Sequence, residues 1–326
     1  MTNKDRYRSL CRTEPSIPVF SQDWWLDTVC GGEQWDVLLY EERGGIRAAM
    51  PLYLPLPGIV SMPPYTQTMG LWFAGETTDT KYTTALGRRQ AMAKAFTGEL
   101  EKYTSFLQNF HYRATDWLPF YWAGYRQTTR YTYLLHDIRQ TGRLWENMSP
   151  HIRRNITKAM KHQLLVRRGI SAEDFLHVHS LTFERQGKKP PHIGTLKRLI
   201  NVCRERGQGD LWGGYDAGGR LHAAAFVVWQ ESSAYYLAGG ADPALRASGA
   251  HALVLWEAIQ AVAGYTDLFD FEGSMLPGVE RFFREFGAIQ TPYFTISKGK
   301  ISLWSRIVTS YKLRVTSKTA HNSIDS

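Results

Sequence analysis

The residues best suited to chemistry lie between positions 235 and 285. Phe269-Asp270-Phe271-Glu272 alternates rings with acids. A strand there puts both carboxylates on one face and both rings on the other. Gly273 follows and ends the strand. A carboxylate at a strand end can take a proton from an attacking group, which makes Glu272 the candidate general base. Tyr235 and Tyr236 are adjacent, so only one phenol can face a cleft. Tyr236 is the candidate to return that proton. Leu237-Ala238-Gly239-Gly240 comes next, and Arg246-Ala247-Ser248-Gly249-Ala250-His251 opens an apolar helical repeat. A strand feeding a Gly-rich loop and a helix N-terminus offers free N–H groups and a positive helix end, which together make an anion site. Leu237, Gly239, Arg246, Gly249 and Ala250 are the candidate contacts. In an ordinary strand–turn–helix the same glycines would serve the turn alone.

A second group is basic. Arg153, Arg154 and Lys158 fall within about two helical turns. Arg154 and Lys158 are four apart and share a face. They suit a phosphate or carboxylate, or form a solvated basic surface. The formal charge is +9 over 326 residues and is uneven. Seven Lys/Arg stand against one acid between Arg143 and Arg168, and six against one between Lys298 and Ser326. Such segments fit a cofactor phosphate, a nucleotide-linked substrate, tRNA or an acidic membrane surface. No helix-turn-helix or RNA-recognition signature is present, so DNA is not an expected partner.

Several chemistries lack their motifs. There is no GxSxG, HExxH or GxxxxGK[ST]. His177 and His179 have no third ligand nearby, and Cys11, Cys30 and Cys203 are far apart, so neither a metal nor a disulfide framework is expected. No apolar run reaches the ~20 residues of a membrane span. The start, MTNKDRYRSLCRTEP, has no apolar core, so the cytoplasm is the expected location.

Patterning supplies the elements that would position these residues. Helices are expected over 20–30 with Ser21 as N-cap, and over 88–110. Strands are expected over 35–41, 46–54, 111–115 and 131–138, with a loop over 59–72. The second half reads as helices over 142–147 and 150–163, the latter with Ser149 as N-cap and Pro150 at N1. A strand over 164–168 and helices over 172–185 and 193–206 follow. Strands over 209–215, 221–230 and 233–238 come next, then a helix over 249–264, a strand over 268–272, a helix over 278–286 and a strand over 289–297. A meander, a helix and a further strand make a crossover within one sheet.

In that order, Tyr235 to Pro243, Ala250 to Ile259, Phe269 to Ser274 and Gly278 to Ala288 resemble the Fem-like branch of the GNAT acyltransferases. That branch includes aminoacyl-tRNA-dependent peptidoglycan transferases and the acetyltransferases grouped with cellulose-biosynthesis-type (BioF2-like) proteins. Ser149-Pro150-His151-Ile152-Arg153-Arg154-Asn155-Ile156-Thr157-Lys158-Ala159 is similar to the branch's basic helix. Trp24 to Asp27 and the loop Pro63 to Gly70 match more loosely. Two positions depart from the pattern. His251 stands where the pyrophosphate loop has Gly or Ala and narrows the approach of a diphosphate. Phe283 stands where peptidoglycan-type members carry Lys, with the charge next door at Arg284.

The resemblance implies an α/β fold of tandem GNAT-like domains with mixed sheets, the first incomplete. The expected division is 1–135, then 136–298 with the donor site, then a basic tail over 299–326. It also implies an acyl-CoA donor, with acetyl-CoA the expected form, and an amine acceptor between the domains. Arg154, Lys158, Tyr65 and Arg284 are the candidate acceptor contacts, and Asp270 is the structural acid. Two other functions compete: an aminoacyl-tRNA-dependent transferase acting on a peptide or cell-wall precursor, and a non-catalytic GNAT-like binding module.

Overall fold

The computed structural model describes residues 1–75, 80–184 and 187–299. All but the first residue of the expected 299–326 tail lies outside them. The described chain divides into two compact units, residues 1–130 with 292–299, and residues 131–291.

In the first unit, α1 (Asn3–Thr13) and α2 (Asp23–Cys30) precede a hairpin of β1 (Trp35–Glu42) and β2 (Gly45–Leu56). Arg43 and Gly44 both have positive φ, the backbone that a tight hairpin turn requires. Sequence patterning missed α1. It also assigned Ser21 as the cap of α2, whereas Ser21 belongs to a short 3-10 turn and Gln22 is the N-cap. β3 (Ile59–Ser61) and β4 (Trp72–Phe73) emerge from the stretch expected to be loop and pair with β2. The expected helix over 88–110 is instead α3 (Tyr82–Glu99) followed by β5 (Ser105–Asn109). Every residue of β5 is buried, and a short, fully buried strand carries no alternation to separate it from a helix. The expected strand over 111–115 is a turn, with Ala114 N–H donating to His111 C=O at 2.7 Å. Next come α4 (Leu118–Trp122) and β6 (Arg126–His136). β5 also pairs with residues 295–299 of β12 (Ile289–Gly299), and Phe96, Phe106, Phe110, Phe120 and Ile296 pack in the core.

The second unit runs from residue 131 of β6 through α5 (Thr141–Asn147), α6 (Pro150–Lys161), β7 (Leu165–Arg168), α7 (Ala172–Glu184) and α8 (Ile193–Glu205). It continues with β8 (Gly209–Tyr215), β9 (Leu221–Gln230), β10 (Ser233–Ala241), α9 (Ala250–Val262), β11 (Leu268–Asp270) and α10 (Pro277–Arg284). The strand order is β6-β11-β10-β9-β8-β7, with β10 and β11 parallel and the other neighbours antiparallel. β9 is buried almost throughout and takes helices on both faces. Ala223, Ala225, Val227 and Trp229 join the core cluster that holds α6 and α9. Phe226, on the other face, meets Phe175 of α7. Ser149 caps α6 by accepting from Ile152 N–H, with Pro150 in the first turn, as its sequence indicated.

Two ends differ from expectation. β10 runs past Ala238 to Ala241, and β11 stops at Asp270 rather than Glu272. Glu272 and Gly273 have φ of 56° and 60°, so the chain leaves the extended region there. A Cβ on Gly273 would lie 2.0 Å from Tyr131 C=O, so only glycine fits beside β6.

Candidate functional site

β10 and β11 pair only through Ala234–Phe269 and Tyr235–Asp270. β10 then continues alone on that side while remaining paired with β9 as far as Ala241. Between Tyr236 and Ala238 the register with β9 shifts, so Leu237 is a bulge residue without an opposite partner. Where the two strands part, a cavity of about 760 Å³ opens, within the range of small-molecule sites. Its wall includes Tyr236, Gly239, Gly240 and Ala241 of β10, the turn from Pro243 to Gly249, and the first residues of α9. His151 and Asn155 of α6, and Arg281, Phe282, Phe283 and Glu285 at α10, complete it.

Packing explains the glycines. A Cβ on Gly239 would sit 2.0 Å from the Tyr236 hydroxyl, and one on Gly240 would sit 2.5 Å from Val178 C=O. Gly249 has φ of 78°, and a Cβ there would lie 2.3 Å from Asn155 C=O. The glycines therefore let the phenol lie along its own strand and let α6 pass close to the start of α9.

Tyr236 and His251 form a pair inside the cavity, with the phenol oxygen 2.9 Å from His251 Nε2. Burial, and then the Arg246 charge, push the His251 imidazole down to about 4. Burial pushes the Tyr236 phenol well above its ordinary value. The resting pair is a neutral phenol donating to a neutral imidazole. The His251 ring also packs against Phe282, with centroids 5.2 Å apart. Below it, Phe283 stacks on Phe271 at 4.9 Å and anchors α10 to the core. A histidine that folds neutral binds fewer protons than the unfolded chain, so its contribution to stability is complete above about 6.5 and is lost as pH falls through about 4. The urea midpoint should drop across that window, and less steeply in His251→Gln. Equal slopes for the two proteins would mean that His251 is not buried neutral.

Of the residues singled out from sequence, Tyr236, Gly239, Arg246, Gly249 and Ala250 come together here. Leu237 points its side chain into the interior and is not part of the wall. Glu272 is not part of it either. It is 5% exposed, and its N–H donates to Asp270 Oδ1 at 2.7 Å. The shared strand face expected for Asp270 and Glu272 does not exist, because the strand ends between them. Asp270 is fully buried, accepts from the Thr132 hydroxyl, and holds the turn after β11. Arg154 and Lys158 share a separate surface depression of about 720 Å³ with Arg153, Lys161 and Trp145. Arg284 pairs with Glu280 one turn away, Nε to Oε1 at 2.7 Å, and does not line the cavity. Tyr65 belongs to the first unit, half-buried with φ of 54°, its phenol pushed up by burial.

Patterning missed His151, Glu285 and Arg281. His151 Nδ1 lies 2.7 Å from Glu285 Oε2, and Arg281 Nε donates to Glu285 Oε1 at 2.9 Å. Burial raises the Glu285 carboxyl, but the bonds from His151 and Arg281 outweigh it and hold the group below its ordinary value. His151 and Glu285 stand 134 residues apart, so no spacing rule links them. Among the described residues no group of three His, Cys, Asp or Glu side chains is placed to hold a metal ion, and no helix is long and apolar enough to cross a membrane.

Residues 147–284 match the Acetyltransferase (GNAT) domain family. Among solved structures, FemX superposes with a TM-score of 0.65 at 13% identity, covering 90% of this chain and 96% of that one. L-PGS from Bacillus licheniformis gives 0.53 at 10%, covering 95% of each chain. A tandem GNAT protein from the clavulanic acid biosynthesis pathway gives 0.51 at 12%, covering 90% and 92%. At these identities the likeness is one of fold. No curated protein matches the sequence.

Proposed function

We propose that this GNAT-fold acyltransferase, with its acetyltransferase domain at residues 147–284, takes its acyl group from a coenzyme A thioester, acetyl-CoA in the simplest case, and passes it to an amine. The observation that carries this reading is the parting of β10 from β11. Among the described residues it leaves the β11-facing edge of 236–241 without a strand partner beside the cavity. An unpaired strand edge suits an amide-rich arm such as that of coenzyme A. At the far end of that edge, Arg246 and the first turn of α9 offer a guanidinium and a helix N-terminus to a diphosphate. Tyr236, protonated and at the inner end, supplies the proton for the leaving thiolate. Arg154 and Lys158, on their separate basic surface, are the proposed contacts for an anionic part of the acceptor. We take the cytoplasm as the place where the protein acts.

Calorimetry with CoA tests the donor. Arg246→Ala should raise the Kd roughly 10- to 150-fold, the usual effect of losing a charge-assisted contact of about 1.5–3 kcal/mol. Arg154→Ala should leave CoA affinity unchanged, since it lines a different depression. Wild-type protein that binds no CoA would put an aminoacyl-tRNA donor, or a binding role without catalysis, in its place.

A further inference from the structure

We infer that His151 is the general base of the acyl transfer and that Glu285 is its positioning residue, an inference that rests on the acyl-CoA reading above. A carboxylate only accepts hydrogen bonds, so the 2.7 Å contact with Glu285 Oε2 puts the ring proton of His151 on Nδ1. Nε2 is then the basic nitrogen. The Asn155 amide nitrogen lies 3.4 Å from it, a weak donor consistent with that tautomer. This is the arrangement in which a carboxylate both orients an imidazole and stabilises its protonated form.

The backbone holds the pair in place from both sides. Ser149 N–H donates to Glu285 C=O at 2.8 Å, tying the start of α6 to the end of α10. Gly287, at φ of 84°, lies so close to Asn147 that a Cβ would meet its carbonyl at 2.9 Å. The Glu285 side chain is 13% exposed and that of His151 54%, so the carboxylate is fixed while the imidazole can exchange its proton with water. Both line the cavity that holds the Tyr236 phenol.

The chemistry balances with these groups. The amine nitrogen attacks the thioester carbonyl carbon, forming the C–N bond and an oxyanion. His151 Nε2 takes a proton from that nitrogen. The oxyanion collapses, the C–S bond breaks with its electron pair on sulfur, and the Tyr236 O–H protonates the thiolate. The imidazolium then loses its proton to solvent and the phenolate regains one. The sum is one proton moved from nitrogen to sulfur. Glu272, off the cavity, takes no part.

Water serves as the probe nucleophile, because it too must lose a proton. Hydroxylamine is the control, being neutral near pH 7 and far more nucleophilic. His151→Gln should slow the release of CoA from acetyl-CoA into water by about 10²-fold or more. CoA affinity should stay the same, and release into hydroxylamine should fall far less. Equal loss toward both nucleophiles, or no loss, overturns the assignment of His151. Glu285→Gln should slow hydrolysis with CoA affinity unchanged, because the amide no longer fixes the ring proton on Nδ1, and Glu285→Asp, which keeps the acceptor, should recover part of the rate. Unchanged hydrolysis in Glu285→Gln, or equal loss in both variants, overturns the positioning role. Absence of CoA binding in the wild-type protein overturns the donor reading and this inference together, whereas intact binding with unchanged turnover overturns this inference alone.

Discussion

Tyr236→Phe is expected to lower kcat by about 10² to 10⁴, the range for loss of a general acid, with the Kd for CoA little changed. The phenol is buried, shifted toward its protonated form, and lies in the cavity at the inner end of the open β10 edge. Phe keeps the ring that packs edge-on to Phe283 at 6.1 Å, so the fold is preserved. The change does leave His251 Nε2 without its 2.9 Å partner, and an unsatisfied buried acceptor costs roughly 1–3 kcal/mol. A moderate loss of stability should accompany the kinetic loss, and measuring both separates them. Stopped-flow release of CoA from acetyl-CoA, alongside calorimetry, is the relevant pair of measurements. A Tyr236→Phe enzyme with normal kcat would move the acid to another group or to solvent.

Gly249→Ala should damage both the fold and the proposed donor site. Left-handed backbone costs an L-residue roughly 1–2 kcal/mol. Driving a methyl to 2.3 Å from the Asn155 carbonyl must also displace α6 from α9, and overpacking of this kind typically adds about 1–3 kcal/mol. Together these amount to about 2–5 kcal/mol, a large part of the stability of a typical domain. The same displacement moves the first turn of α9 relative to Arg246, so CoA binding should weaken even in the protein that remains folded. Urea unfolding gives the first effect and calorimetry well below the transition gives the second. Unaltered stability would mean that α6 does not pass Gly249 as closely as the structure places it.

The second half of the chain was largely legible. β8 and β9 fall at the expected residues, because Gly209–Tyr215 and Leu221–Gln230 are bounded by strong turn residues. The capped start of α6 was readable for the same kind of reason, since Ser149-Pro150 acts through its own backbone neighbours. Local patterning failed where burial is uniform, as at β5, and where backbone conformation departs from period two, as at Glu272.

What the sequence determined alone, then, was the order of elements from α5 onward, the loop–helix junction at Arg246–Ala250 and the phenol at Tyr236, all set by residues adjacent in the chain. What only the tertiary structure decided was which polar groups share a cavity. It drew Glu272 out, because positive φ after Asp270 ends the strand and Asp270 holds the turn from within. It gave Arg154 and Lys158 a different depression from the cavity-lining His151 and Asn155, although the four stand at i, i+3, i+4 and i+7 along one stripe of α6. It also brought His151 to Glu285 across 134 residues, through contacts between α6 and the end of α10 that no spacing encodes. Chain neighbours constrain one another through bond geometry, but residues far apart meet only when the packing of helices on a sheet brings them together.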